Sequence, residues 1–148
     1  MEKKMNKGFS LVELIIVIAI MAVLVGILAP QFLRYVEKSR LQKDNSAVAE
    51  VANAAKSAMA NEAINTATTL PYTISFTGGT ATNFSATATD VEGELAKVVG
   101  ESVTLTSNTY NGATVTLTIQ QNTNTKTIEV VGSGIMDDPD STATTKVY

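Results

Sequence analysis

The stretch that decides the fold is KGFSLVELIIVIAIMAVLVGILAP, residues 7–30, which is strongly apolar yet carries one acid, Glu13. Leu14–Leu33 contains 20 consecutive residues without a charge, which is the length that a helix needs to cross the hydrocarbon of a bilayer. The Leu, Ile and Val side chains of this stretch favour insertion by about 5 kcal/mol, against at most about 3 kcal/mol for the acid. The segment is therefore predicted to enter a membrane despite its carboxylate.

The charges outside this stretch are unevenly placed. Lys3, Lys4 and Lys7 outnumber Glu2 in the leader, which predicts an N-terminus on the cytoplasmic side of the membrane by the positive-inside rule. The whole chain of 148 residues has a net charge of −3, which gives no electrostatic basis for a nucleic-acid site.

The chain contains no Cys and no His. Disulfides and the familiar catalytic triads are therefore excluded, and the sheet is expected to rely on strand pairing and packing alone. No cofactor is predicted, and we expect the protein not to be an enzyme. An anchored hydrolase using Ser/Lys or carboxylate chemistry is the remaining catalytic alternative, but no spacing of residues indicates one.

A charged and then alanine-rich segment follows, from Arg34 to about Asn65. Apolar residues recur along it at helical spacing, which predicts one long helix from Phe9 to about Ala63. Pro30 is expected to kink or open this helix, with Gly26 as a second weak point. The apolar stripe consists of Val48, Val51, Ala52, Ala55, Met59 and Ala63.

The composition changes beyond residue 65, because every Thr of the chain lies at or after Thr66 and Thr favours strands. We predict a strand at Tyr72–Phe76, a hairpin turning at Asn111-Gly112, a further strand at Thr127–Val131, and a loop-like tail from Gly132 to Tyr148. The apolar face of this sheet is predicted to contain Val103, Leu105, Val115, Leu117, Ile119, Ile128 and Val130.

A short helix is predicted within TDVEGELAKVVG, residues 89–100. Thr89 and Glu92 fit a capping box, and Gly100 fits a helix stop. The predicted fold class is α+β: a long N-terminal helix, half transmembrane and half amphipathic, packed on a small antiparallel sheet.

The opening residues resemble the class III-signal proteins, which are the type IV pilins and the pseudopilins. The resemblance rests on Gly8, Phe9, Glu13, the apolar stretch and Pro30. It implies a pilin-like fold and cleavage of a basic leader between Gly8 and Phe9 by a prepilin peptidase, followed by methylation of the new amine. It further implies that an assembly ATPase and a membrane platform protein draw copies of the chain into a helical filament.

The domain organisation follows from the resemblance and the composition. Residues 1–8 are predicted to be the cleaved leader, 9–33 the transmembrane and filament-core helix, 34–65 the amphipathic helix, and 66–148 the head. The precursor is expected in the cytoplasmic membrane with its head outside, and the assembled subunit in an extracellular pilus.

Two residues receive specific roles under this interpretation. An isolated charge in a low-dielectric place is costly, so Glu13 is expected to pair with the cationic Phe9 amine of a neighbouring subunit, or with its own before docking, and to set the register of the filament. Gly8, which has no Cβ, is expected to let the peptidase approach an extended backbone.

Several alternatives stay open. An ordinary secretory signal peptide fits the long apolar stretch poorly, and a plain membrane anchor leaves Gly8, Phe9 and Glu13 unexplained. A major type IV pilin would serve adhesion, surface motility or aggregation, whereas a pseudopilin would act in type II protein secretion or DNA uptake. Asp137, Asp138 and Asp140 are weak candidates for Ca²⁺ ligands, and calcium there would favour the secretion type.

Overall fold

The computed structural model describes residues 8–148, apart from the side chains of residues 66 and 67. The prediction that Lys3, Lys4 and Lys7 face the cytoplasm falls outside the described residues. The chain divides into two compact units, one ending at Val36 and the other spanning Glu37–Tyr148.

Three helices and six strands make up the described chain. The helices are α1 (Leu11–Met59), α2 (Glu62–Ala67) and α3 (Val91–Val99). The strands are β1 (Tyr72–Thr77), β2 (Ala81–Asn83), β3 (Ser102–Thr104), β4 (Thr114–Gln121), β5 (Ile128–Ile135) and β6 (Thr144–Val147). A single 3-10 turn covers Asn108–Tyr110.

The part of α1 in the first unit is apolar on all sides. Every large apolar side chain from Phe9 to Tyr35 is exposed. An 18-residue window of this helix has a mean hydropathy of 3.1 and none of it is buried, so by length and composition it is able to cross a membrane. A helix that is hydrophobic all round requires a bilayer or other protein around it.

The part of α1 in the second unit is buried along one face only. Its apolar residues join a single core with those of the sheet. The buried members on α1 are Leu41, Val48, Val51, Ala52, Ala54, Ala55, Ala58 and Met59. The predicted α+β fold, a long N-terminal helix packed on a small antiparallel sheet, is confirmed.

The main sheet has the strand order β1-β4-β5-β6 and is antiparallel throughout. Alternation along the strands turns Ile74, Phe76, Val115, Leu117, Ile119 and Val130 into the core, while the intervening threonines of β1 and β4 lie on the opposite face. The predicted apolar face is correct for Val115, Leu117, Ile119 and Val130, and Ile128 is partly buried on it. Val103 lies instead in β3 of a separate two-stranded sheet, and Leu105, although buried, follows β3 outside any strand.

The long helix ends one turn earlier than predicted. α1 stops at Met59, and Asn61 then begins α2 by accepting a hydrogen bond from the Ala63 N–H at 3.0 Å. Because Asn competes for backbone donors in this way, it starts a new helix rather than continuing an old one. Ala63 is consequently exposed instead of lying on the buried stripe.

The cap of α3 also differs from the prediction. Asp90, not Thr89, is the N-cap and accepts the Glu92 N–H at 3.0 Å, while the Glu92 side chain accepts the Ser85 N–H at 2.9 Å. The stop at Gly100 is confirmed, since α3 ends at Val99 and Gly100 adopts a φ of 92°.

The predicted hairpin at Asn111-Gly112 is wrong. β3 pairs with β2, and β4 pairs with β1 and β5. A two-residue type I′ turn needs a positive φ at both central residues, but Asn111 has a φ of −59° and only Gly112 is positive, at 74°. The chain instead passes close to Gly78, where an added Cβ would lie 1.8 Å from the Tyr110 carbonyl oxygen.

The prediction of a loop-like tail from Gly132 to Tyr148 is wrong as well. β5 starts within the predicted strand but continues to Ile135, and Thr144–Val147 forms the edge strand β6. The sequence of β6 has little alternation of polar and apolar residues, and only Lys146 of this strand is partly buried. Pairing with β5, which no local pattern reveals, makes it a strand.

Candidate functional site

The predicted cleavage junction lies in exposed, non-helical backbone. Gly8 and Phe9 precede the first helical residue, Leu11, and 93 % of the Phe9 surface is accessible. A Cβ built on Gly8 would meet no atom of the described residues within 4 Å. An enzyme that reads extended backbone therefore meets no obstruction from residues 8–148 at this bond.

A capping box closes the first turn of α1. Ser10 Oγ accepts a hydrogen bond from the Val12 N–H at 3.3 Å, and Glu13 Oε2 accepts one from the Ser10 N–H at 2.8 Å. The first helical bond, from the Leu14 N–H to the Ser10 carbonyl, is also 3.3 Å long. The two side chains thereby satisfy backbone donors that a helix start leaves without partners.

Sequence reasoning missed Ser10, although the signal was present. SLVE, residues 10–13, has the Ser-x-x-Glu spacing of a capping box, and the same spacing was instead assigned at Thr89–Glu92. The partial positive charge of a helix N-terminus adds to the preference for a carboxylate at Glu13. Pairing of Glu13 with the Phe9 amine of a neighbour stays a prediction.

Gly26 and Pro30 lie inside α1, and the helix continues through both. Because proline has no N–H, the carbonyl of Gly26, four residues earlier, lacks its usual helical donor. The predicted break is absent from α1 as the structure describes it, and opening at these residues on packing into a filament stays a prediction.

Two carboxylates of α1 fasten the loop that replaces the predicted hairpin. Asp44 is 2 % exposed, and its Oδ2 accepts the N–H groups of Thr106 at 2.8 Å and Ser107 at 2.7 Å. Glu37 Oε1 accepts the N–H and the hydroxyl of Thr109 at 2.8 and 2.9 Å. The second unit therefore does not rely on strand pairing and packing alone, as the absence of disulfides had suggested.

Tyr110 joins α1 to the end of β5. Its hydroxyl donates to Asn45 Oδ1 at 2.5 Å and accepts the Met136 N–H at 2.9 Å, while Asn45 Nδ2 donates to the Met136 carbonyl at 2.7 Å. Burial raises the pKa of Tyr110 above its ordinary value, because the phenolate is poorly solvated there. The same cause raises the pKa of Tyr72 and of Tyr148.

We expect the second unit to lose stability at alkaline pH. A raised pKa means that the folded state keeps its phenolic proton to higher pH than the unfolded chain, so the stabilisation is complete below about pH 10 and is lost as the pH rises through the raised value. Denaturant titrations followed by near-UV circular dichroism between about pH 9 and 11 should show a falling free energy of unfolding.

Two tyrosine variants separate Tyr110 from a general alkaline effect. Tyr110→Phe should make the decline shallower, whereas Tyr35→Phe, which removes an exposed hydroxyl of the first unit, should leave it unchanged. A free energy of unfolding that is constant over this pH range, or the same slope in both variants, would contradict the prediction.

The three acids of the tail do not converge on a cation site. Asp138 Oδ2 accepts from Lys38 Nζ at 2.8 Å, and Asp137 forms an ion pair with Lys146. The backbone N–H of Asp140 donates to Asp138 Oδ1 at 3.4 Å. Within residues 8–148 no group of three potential metal-ligating side chains is placed to hold an ion, so the calcium alternative lacks the geometry that it needs.

The comparison with known families concerns the same N-terminal residues. Residues 3–29 match the prokaryotic N-terminal methylation motif. With the exposed Gly8–Phe9 junction and the apolar part of α1, this match fits a membrane-anchored precursor whose N-terminus becomes methylated.

Two curated relatives, each a fimbrial protein of Pseudomonas aeruginosa, are 37 % identical to this chain over 81 residues. The alignments cover 52 % of this chain and 53 % of each relative, so the chain spans about half the length of the curated relatives it matches. No solved structure matches significantly. The chain thus shares with fimbrial proteins about half of their length and carries the N-terminal methylation motif at the head of its apolar helix.

Proposed function

We propose that this chain is the structural subunit of a type IV pilus that serves adhesion, surface motility or aggregation. The observation that carries the proposal is the methylation motif at the head of a helix whose large apolar side chains are all exposed from Phe9 to Tyr35. Soluble monomers rarely expose contiguous apolar patches above a few hundred Å². A bilayer before assembly and neighbouring copies afterwards would cover this surface.

The proposed sequence of events begins in the cytoplasmic membrane. A prepilin peptidase removes residues 1–8, and the amine of Phe9 is methylated, which keeps its positive charge. An assembly ATPase and a platform protein then move the subunit from lipid into a filament. Because hydrocarbon and neighbouring apolar helices are similar surroundings, this transfer costs little hydrophobic free energy.

Mass analysis of sheared surface material tests the proposal. We expect long fibres in the electron microscope, composed of a chain that begins at methylated Phe9. A pseudopilus subunit would be processed in the same way but would not yield long surface fibres. Fibres whose subunits retain residues 1–8 would contradict the proposal itself.

Replacing Gly8 with valine should leave an uncleaved precursor in the membrane. A Cβ at this position meets no described atom within 4 Å, so we expect the substitution to leave the fold of residues 8–148 intact and to act on the approach of the peptidase. We expect the cleavage rate to fall roughly tenfold or more, which corresponds to about 1.4 kcal/mol in the transition state. Immunoblots of membrane fractions would separate precursor from mature chain.

Gly26→Val is the matched control for this experiment. Gly26 lies inside α1, well beyond the scissile bond, and a Cβ there also meets nothing within 4 Å. The control is expected to be cleaved at the normal rate. Normal processing of Gly8→Val would show that the peptidase does not require glycine before the scissile bond.

A further inference from the structure

We infer that the Ser10–Glu13 capping box positions the scissile bond for processing. It starts α1 at Leu11 and so keeps the Gly8–Phe9 bond outside the helix, where a peptidase can bind it as extended backbone. Ser10 is then a positioning residue, and its hydroxyl acts through the conformation of the chain. The inference rests on the proposed function, since it concerns cleavage after Gly8.

The physical reason is the cost of unpaired backbone groups near lipid. An apolar helix tends to continue winding until its first N–H groups find acceptors, because each unsatisfied group in hydrocarbon costs several kcal/mol. Ser10 Oγ and Glu13 Oε2 supply acceptors for the Val12 and Ser10 N–H groups, at 3.3 and 2.8 Å. Without them, the first turn of the helix would begin earlier in the chain and would include Gly8 and Phe9.

The same geometry gives Glu13 two successive partners. Before cleavage its carboxylate accepts the neutral Ser10 N–H. Cleavage creates a cationic amine on Phe9, one residue away, and the attraction between two full charges of opposite sign exceeds that between the carboxylate and a neutral N–H. The amine then competes with the Ser10 N–H for the Glu13 carboxylate, while Ser10 Oγ continues to accept the Val12 N–H.

A series of substitutions at Ser10 tests the inference. The full-length precursor in membrane vesicles is incubated with a prepilin peptidase, and removal of residues 1–8 is timed. Ser10→Ala should slow cleavage roughly threefold to tenfold, whereas Ser10→Thr and Ser10→Asn should stay within about twofold of the natural chain. Ser10→Gly should be intermediate, because glycine loses only a little of the N-cap preference.

The ranking distinguishes capping from direct recognition of the hydroxyl. A peptidase that reads the hydroxyl would cleave the Asn, Gly and Ala variants equally slowly, and that result would overturn the inference. Cleavage of Ser10→Ala at the natural rate would overturn it too. If the natural chain itself were not cut after Gly8, the proposed function would fail instead.

The substitution Glu13→Gln provides a second test of the inference. Glutamine at this position still accepts the Ser10 N–H but loses the charge that favours the helix start, so the variant should be cleaved faster than Ser10→Ala. Amide hydrogen exchange in micelles should show faster exchange at Val12 in Ser10→Ala and no change in Ser10→Thr. Slow cleavage of Glu13→Gln with unchanged exchange at the Ser10 and Val12 amides would contradict a capping role.

Discussion

Replacing Glu13 with alanine is expected to remove filaments from the cell surface while the precursor still enters the membrane. Insertion is driven by the uncharged Leu14–Leu33 stretch, and losing an acid makes it more favourable. Assembly is different, because the cationic amine of Phe9 would then be held in an apolar filament core without a counter-charge. Removing one partner of a buried ion pair typically costs about 3–5 kcal/mol, and the cost recurs at every subunit.

Electron microscopy of sheared material, with immunoblots of the membrane fraction, measures both parts of this prediction. Glu13→Gln is the matched control, because it retains the hydrogen bond to the Ser10 N–H and loses only the charge. It should also lack filaments. Normal filaments from Glu13→Gln would show that assembly needs the capping box rather than the ion pair, and normal filaments from both variants would remove Glu13 from assembly altogether.

Replacing Asp44 with alanine is expected to destabilise the second unit by about 3 kcal/mol. The carboxylate accepts two backbone N–H groups and one hydroxyl from Thr106 and Ser107. Alanine leaves these donors without their acceptor, and Ser107 is 2 % exposed, so water reaches its backbone poorly. The loop between β3 and β4 should detach from α1 before the sheet unfolds.

Chemical denaturation followed by near-UV circular dichroism suits this test, since the chain has four Tyr and no Trp and Tyr110 lies in the same loop. Asp44→Asn keeps one carboxamide oxygen as an acceptor and should lose only about 1–2 kcal/mol. Glu50→Ala, which removes an exposed acid of the same helix, should stay within about 0.5 kcal/mol of the natural chain. Equal losses for Asp44→Ala and Glu50→Ala would contradict the assigned role.

Local sequence was sufficient for the elements that depend on few neighbours. The strand at Tyr72 and the stop at Gly100 follow from alternation and from the conformational freedom of glycine. The hairpin failed because Asn111-Gly112 satisfies a local turn rule that distant groups override. Asp44 and Glu37, more than 60 residues earlier in the chain, hold that loop against α1.

Some residues of the candidate site could be predicted from local sequence, and others depended on contacts between distant parts of the chain. Gly8, Phe9 and Glu13 could be named from their order in the chain. Ser10 was missed because the capping-box spacing was recognised only at Thr89 and Glu92. Asp137 and Asp138 suggested a cation site as neighbours in sequence. Folding instead brings Lys38 to Asp138 and Lys146 to Asp137, and each carboxylate forms an ion pair.

The sequence by itself determined the apolar helix and the helix-on-sheet class of the fold, and it predicts the junction at Gly8–Phe9. Each of these depends on hydrophobic periodicity and on backbone chemistry within a few residues. Only the tertiary structure decided the pairing of β3 with β2, the addition of β6 at the sheet edge, and the buried anchor at Asp44. These features depend on hydrogen bonds between groups far apart in the chain, whose partners become defined only when the core brings them together.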